Sequence, residues 1–158
     1  SLEDFLDAPS NILDSLEKLN TLAAIIKTTG NPTCHLILRG SGSEPNYSKS
    51  NISKAAEMLN KAEISNGIMV DCSHGNSFKD HLRQPTVVDD ICRQVAEGSE
   101  KICGVMLESF LQAGKQNLAP KSKMTYGQSV TDACMSWETT EEALDKLYHA
   151  SKTRDSLN

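Results

Sequence analysis

Short apolar runs alternate with longer stretches of helical period along this chain. Three of the runs, "CHLILRG", "IMVDCSH" and "KICGVMLESFL", read as buried strands, and each arrives at a polar residue: Arg39, His74 and Glu108. Between them, "NISKAAEMLNKAEI" places Ile52, Ala55, Ala56 and Leu59 on one helical face, and "TVVDDICRQVAEGSE" does the same with Val88, Ile91 and Val95. The polar, turn-rich "SGSEPNYSKS" and the turn residues Asn66 and Gly67 separate these elements. The last stretch, "TYGQSVTDACMSWETTEEALDKLYHASK", reads as a loop, a helix start and a closing helix. Upstream, "LEDFLDAPSNILDSLEKLNTL" has helix-like apolar spacing broken at Pro9, "LAAIIKTTGNP" is strand-like, and Gly30, Asn31 and Pro32 form a turn.

Strand, loop and helix in repeated order predict an α/β domain with parallel strands, because parallel neighbours need a crossover connection and cannot be joined by a tight turn. In such architectures the carboxyl ends of adjacent strands open on one face. Arg39, His74 and Glu108 are therefore expected to line a common pocket. For any one of them the simpler reading is a polar residue where a strand ends; three together favour a site.

Composition narrows the choice. The chain has 158 residues and a net charge of −5, enough for one domain with a core and no basic stripe for nucleic acid. We treat residues 1–158 as one unit, with 1–20 a variable segment and 21–150 the organised part. No stretch has the length and apolarity of a membrane span or a signal peptide, so a soluble cytoplasmic protein is expected. Five scattered cysteines without a Cys-x-x-Cys pair fit reduced thiols in that compartment.

His74, Glu108 and Asp132 together offer one imidazole and two carboxylates, a donor set that accepts Mn, Fe, Co or Zn. Arg39 would supply a rigid fork of donors for a phosphate or carboxylate, with a strand-end salt bridge as the plainer alternative. Asp132 by itself reads more simply as a residue opening the last helix. His35, inside a strand, and His81, in a polar linker, have weaker claims. His149 is expected to be solvated, and Trp137 and Tyr126 to be packing residues.

"GNPTCHLILRG", "EPNY", "VDCSHGNS", "GVMLES" and "TYGQSVTDACMSWETTEEAL", in this order, resemble the carboxyl-terminal part of type I DAHP synthase, the first enzyme of the shikimate pathway. The resemblance covers residues 20 to 150 or so and implies a (β/α)₈ barrel, of which these blocks would be the last three strand and helix units. The expected fold is thus a partial barrel, completed by oligomerisation or by an added strand such as "LAAIIKT". The family condenses phosphoenolpyruvate with erythrose 4-phosphate using a divalent metal. By resemblance, His74, Glu108 and Asp132 are metal ligands, His74 also lies near substrate, and Arg39 contacts the phosphoenolpyruvate phosphate.

The family's cysteine ligand, its Lys-Pro-Arg-Thr-Thr block, and the lysine and arginine that hold phosphoenolpyruvate are not among these 158 residues. Cys72, two residues before His74 in a segment read as extended, is a candidate replacement ligand; a small buried side chain is the plainer reading. Two functions are weighed. One is a metal-dependent carbon–carbon bond synthase, lyase or cyclase acting on a small anionic substrate, with His74 and Arg39 catalytic. The other is a non-catalytic half-barrel, assembling with itself or with a full-length relative, or an isolated fragment of a synthase.

Overall fold

The computed structural model describes residues 28–31, 33–41 and 44–157. The helix-like spacing before residue 20 and the strand-like "LAAIIKT" lie outside the described residues. The chain divides into two units, 1–35 and 36–158. The second unit carries all the elements below.

It runs β1 (Leu36–Leu38), α1 (Lys49–Lys61), β2 (Ile68–Asp71), α2 (Gln84–Ala96), β3 (Ile102–Met106), β4 (Gln112–Lys115), β5 (Gln128–Ser129) and α3 (Trp137–Asp155). The first three strands form one parallel sheet in the order β1-β2-β3. Leu38 pairs with Val70, and Val70 in turn with Val105, so the three carboxyl ends stop nearly abreast. The loops that follow therefore start from one edge. Among the described residues, no helix is long and apolar enough to cross a membrane.

Helix α1 buries Ile52, Ala55, Ala56 and Leu59, the face its spacing predicts, and Ser48 caps it by accepting from the backbone N–H of Asn51. Helix α2 has Pro85 in its first turn, where a missing N–H costs nothing, and buries Val87, Val88, Ile91 and Val95. It packs against α3 on one side of the sheet. Cys72, Val87, Val88 and Ala143 form a buried cluster there, with Tyr47, Val105 and Leu147 around it.

That cluster separates the two readings of Cys72 in favour of the small buried side chain. Cys72 is fully buried among apolar residues of α2 and α3, and the chain beyond it does not stay extended: His74 turns to φ +44 and opens a 3-10 turn, His74–Ser77. Alternation from Cys72 to His74 is thus lost, and Cys72 takes no part in a ligand group with His74. Burial, with Asp71 nearby, pushes its thiol up to about 12.

Other expectations change as well. β1 is only three residues long and Ile37 is 39% exposed, because β2 is its one neighbour among the described residues. Tyr126 and Trp137 are largely exposed instead of packed. The pair β4 and β5 was not legible, since "QAGK" and "QS" carry no apolar alternation. Side-chain amides hold it: Gln116 Nε2 donates to Thr125 O at 2.7 Å and Gln128 Nε2 to Ala113 O at 2.8 Å.

The ends of β1 and β2 are clasped by Asn76, 2% exposed. Its Nδ2 donates to Leu38 O at 3.0 Å and to Asp71 O at 2.8 Å, while its Oδ1 accepts from Asn46 N at 2.7 Å. Asn46 in turn accepts from Gly40 N at 2.8 Å. The clasp brings two backbones together so closely that a Cβ on Gly75 would stand 2.4 Å from Ser41 O. Gly40, at φ +70, meets the same limit, with a Cβ 2.6 Å from the Gly75 carbonyl carbon.

Gly75→Ala is expected to destabilise the domain by about 2 kcal/mol, as overpacking against rigid backbone does, read as a fall in the denaturant midpoint at unchanged slope. Cys72 makes a second prediction. Its thiol titrates near 9.0 when unfolded and about 12 when folded, so the folded state holds the extra proton between those values and stability falls as pH rises through that window. Cys72→Ala should flatten that decline in urea titrations that scan pH from 9.0 toward about 12.

Candidate metal centre

β2 ends on Asp71, whose side chain is nearly sealed at 2% exposure. A carboxylate so placed needs donors, and the next three residues supply them. Ser73 donates its backbone N–H to Asp71 Oδ1 at 2.8 Å and its hydroxyl to the same oxygen at 2.5 Å. His74 Nδ1 lies 2.7 Å from Asp71 Oδ2 and 2.9 Å from Ser73 Oγ. The left-handed backbone of His74, costing about 1–3 kcal/mol in a non-glycine residue, is what turns the ring onto Asp71.

With Nδ1 engaged, Nε2 is the free end of the ring. It stands 3.3 Å from Glu108 Oε1. Glu108 follows β3, and its backbone is gripped on both sides by the wholly buried Gln84 of α2. Glu108 N donates to Gln84 Oε1 at 2.9 Å, and Gln84 Nε2 donates to Glu108 O at 3.1 Å. The same carbonyl accepts from Met135 N at 2.9 Å, tying the end of β3 to the segment before α3.

That segment brings Asp132. The plainer expectation for it fails, because Ser136 is the residue that caps α3, accepting from Thr139 N at 3.2 Å. Asp132 is exposed, and one ligand atom each from His74, Glu108 and Asp132 lie within 4.8 Å of one another. Cys134 sits beside them, its thiol pushed up first by burial and then by Glu108 and Asp132, against a lowering hydrogen bond from Ser129. It therefore stays protonated at neutral pH.

Arg39 follows β1 and is exposed, with no hydrogen bond or ion pair to another described residue. Its neighbour Gly40 touches Gly75, the neighbour of His74, so the β1 and β2 ends meet at one place. His81 lies near Gly114, and His149 pairs with Asp145 on the exposed side of α3; neither belongs to the group. His35 is exposed ahead of β1 instead of inside it.

The donor set suits a divalent cation. Ligand atoms bound at about 2.0–2.2 Å to one ion must lie within about 4.4 Å of each other, so a shift of a few tenths of an ångström closes this group on a metal. An imidazole nitrogen and two carboxyl groups from separate loops are donors that a divalent cation can hold together. Asp71, Gln84 and Asn76 were missed as supporting residues. The only signal was the acid three residues before His74 in "VDCSH", and the amides act across sequence gaps that no local pattern reveals.

The DAHP synthetase I family matches residues 4–145. The Trp-sensitive phospho-2-dehydro-3-deoxyheptonate aldolase of Escherichia coli K12 is 44% identical over 135 residues, spanning 85% of this chain and 38% of that protein. The Phe-sensitive enzyme of the same strain is 46% identical over 132 residues, 84% of this chain and 37% of the relative. The structure of phospho-2-dehydro-3-deoxyheptonate aldolase from Francisella tularensis SCHU S4 superposes with a TM-score of 0.77 at 48% identity, covering 83% of this chain and 38% of that one. The chain thus spans under two fifths of the relatives it matches, and its three parallel strand and helix units are a partial (β/α) barrel. With most of its length matched by the family, the chain belongs to the DAHP synthetase I family.

Proposed function

We propose that this chain is the metal-holding and anion-binding corner of a DAHP-synthase-type barrel, which joins phosphoenolpyruvate to erythrose 4-phosphate once the remaining strand and helix units complete it. The observation that supports this reading is the approach of His74, Glu108 and Asp132, from three separate strand ends or loops, to within 4.8 Å. His74 through Nε2, and Glu108 and Asp132 through carboxylate oxygens, would hold Mn, Fe, Co or Zn. When bound, such an ion supplies Lewis acidity toward a carbonyl oxygen.

The chain's own residues do the rest. Arg39, exposed and unpaired among the described residues, offers a planar fork to a phosphate or carboxylate, and the Gly40–Gly75 contact keeps its backbone beside the His74 turn. His74 keeps its Nδ1 on Asp71, so its role is to present Nε2 in a fixed direction. Gln84 holds the Glu108 backbone so that substrate binding need not order it.

The partner follows from the sheet. Among the described residues, β1 and β3 each have an unpaired outer edge, and Met106 and Ile37 leave apolar surface exposed. The remaining barrel units, from a longer chain or from other copies in an oligomer, are the partner that fits. The same edges support the second reading, a non-catalytic assembly unit, and metal content separates the two.

Elemental analysis after reconstitution with Mn, Co or Zn should find one ion per chain, and Glu108→Ala should lower the affinity at least tenfold while Cys72→Ser leaves it unchanged. A wild-type chain that takes up no ion would leave only the assembly reading. Arg39→Ala should keep metal affinity within twofold and lose the thermal stabilisation that phosphoenolpyruvate gives the metal-loaded wild type. Equal stabilisation of both proteins would remove Arg39 from the anion site.

A further inference from the structure

We infer that Asp71 is a positioning residue for His74, engaging Nδ1 so that the ring is held with Nε2 aimed at Glu108 and Asp132; the inference rests on the metal reading of that group. Three donors converge on the Asp71 carboxylate. Ser73 N at 2.8 Å and Ser73 Oγ at 2.5 Å reach Oδ1, and His74 Nδ1 at 2.7 Å reaches Oδ2. In addition, the Asp71 backbone carbonyl accepts from Asn76 Nδ2 at 2.8 Å, which fixes the main chain from which the carboxylate projects.

All the contacts made by the two carboxylate oxygens are of one kind, donor to acceptor. A side chain with two acceptors satisfies them and an amide cannot. An asparagine here would keep its oxygen on the two Ser73 donors and turn its NH2 toward Nδ1. With only Ser73 Oγ, at 2.9 Å, left to accept an Nδ1 proton, the NH2 favours an accepting Nδ1 and a ring proton on Nε2, facing Glu108. One atom changed in a buried side chain would so act on Nε2, on the far side of the ring, without touching that atom. The burial of Asp71 sharpens the effect, because an unpaired polar group is costly away from solvent.

The role is distinct from that of Gln84. Gln84 holds Glu108 through its main chain and is indifferent to the chemistry of the carboxylate, whereas Asp71 acts on the nitrogen opposite the ligating one. Carboxylate, imidazole and metal in line are a general way to fix both tautomer and ring direction, and loss of such a carboxylate or its charge commonly costs 10–100-fold in metal affinity.

The test uses the full chain in three forms, wild type, Asp71→Asn and His74→Ala, together with the double variant. Long-range nitrogen–proton spectra of 15N-histidine-labelled protein should show a proton on Nδ1 of His74 in the wild type and none on Nδ1 in Asp71→Asn. Zinc affinity, measured by competition with a chelator, should fall 10–100-fold in Asp71→Asn and fall no further when that change is added to His74→Ala. An Nδ1 without a proton in the wild type, an Nδ1 proton retained in Asp71→Asn, or an equal loss in both backgrounds would each overturn the inference. The wild-type spectrum decides the matter even if the asparagine variant does not fold. A wild type that shows the Nδ1 proton and binds no zinc would overturn the metal reading and leave the hydrogen bond from His74 to Asp71 standing.

Discussion

One buried amide governs the geometry of this domain. Asn76 donates to the last carbonyl of β1 and to the last residue of β2, and it accepts from the loop that leaves β1. Two parallel strands are already kept in register by their ladder, but the ladder ends where the site begins. Beyond that point the chain would be free to diverge. The amide carries the register past the last strand residue, and the glycines at 40 and 75 allow the two backbones to come together there. Everything placed on those turns, Arg39 on one side and His74 on the other, inherits its position from this clasp.

A second principle follows from how polar groups are distributed by depth. The side chains of the proposed site, His74, Glu108, Asp132 and Arg39, are half-buried or exposed. Those that hold them, Asp71, Ser73, Asn76 and Gln84, are buried. Burial makes each supporting hydrogen bond costly to break, since an abandoned donor or acceptor has no water to turn to. No buried side-chain nitrogen or oxygen among the described residues lacks a partner. The rigid layer lies below and the reactive layer above. Such an order suits a site whose metal ligands come from separate loops, because each loop must be stiff before the group can close on an ion.

The fold separates the alternative readings that the sequence leaves open at Cys72 and Asp132. Two-residue alternation is a property of extended chain, and it would place Cys72 beside His74; the chain leaves the extended region between them, so the thiol goes to the core and the imidazole to the site. For Asp132 the local pattern suggested a helix cap, yet Ser136 is four residues nearer the helix and takes that role, leaving the carboxylate for Glu108 and His74. In both cases a local rule was overridden by a turn or a competitor that only the folded chain reveals.

What the sequence determined by itself is the class of the fold and which polar residues stand where its strands end. Apolar runs alternating with helical faces can be buried only as parallel strands under crossover helices, and the faces of α1 and α2 are those that the spacing of Ile52, Ala55, Ala56, Leu59, Val88, Ile91 and Val95 dictates. Strand ends must then open together, which singles out Arg39, His74 and Glu108. Tertiary structure alone decided the supporting layer and the small β4–β5 sheet. Asn76 reaches Leu38 across 38 residues, and Gln84 reaches Glu108 across 24. Contacts of that span leave no periodicity in the chain, and they exist only once the sheet has brought their partners within hydrogen-bond reach.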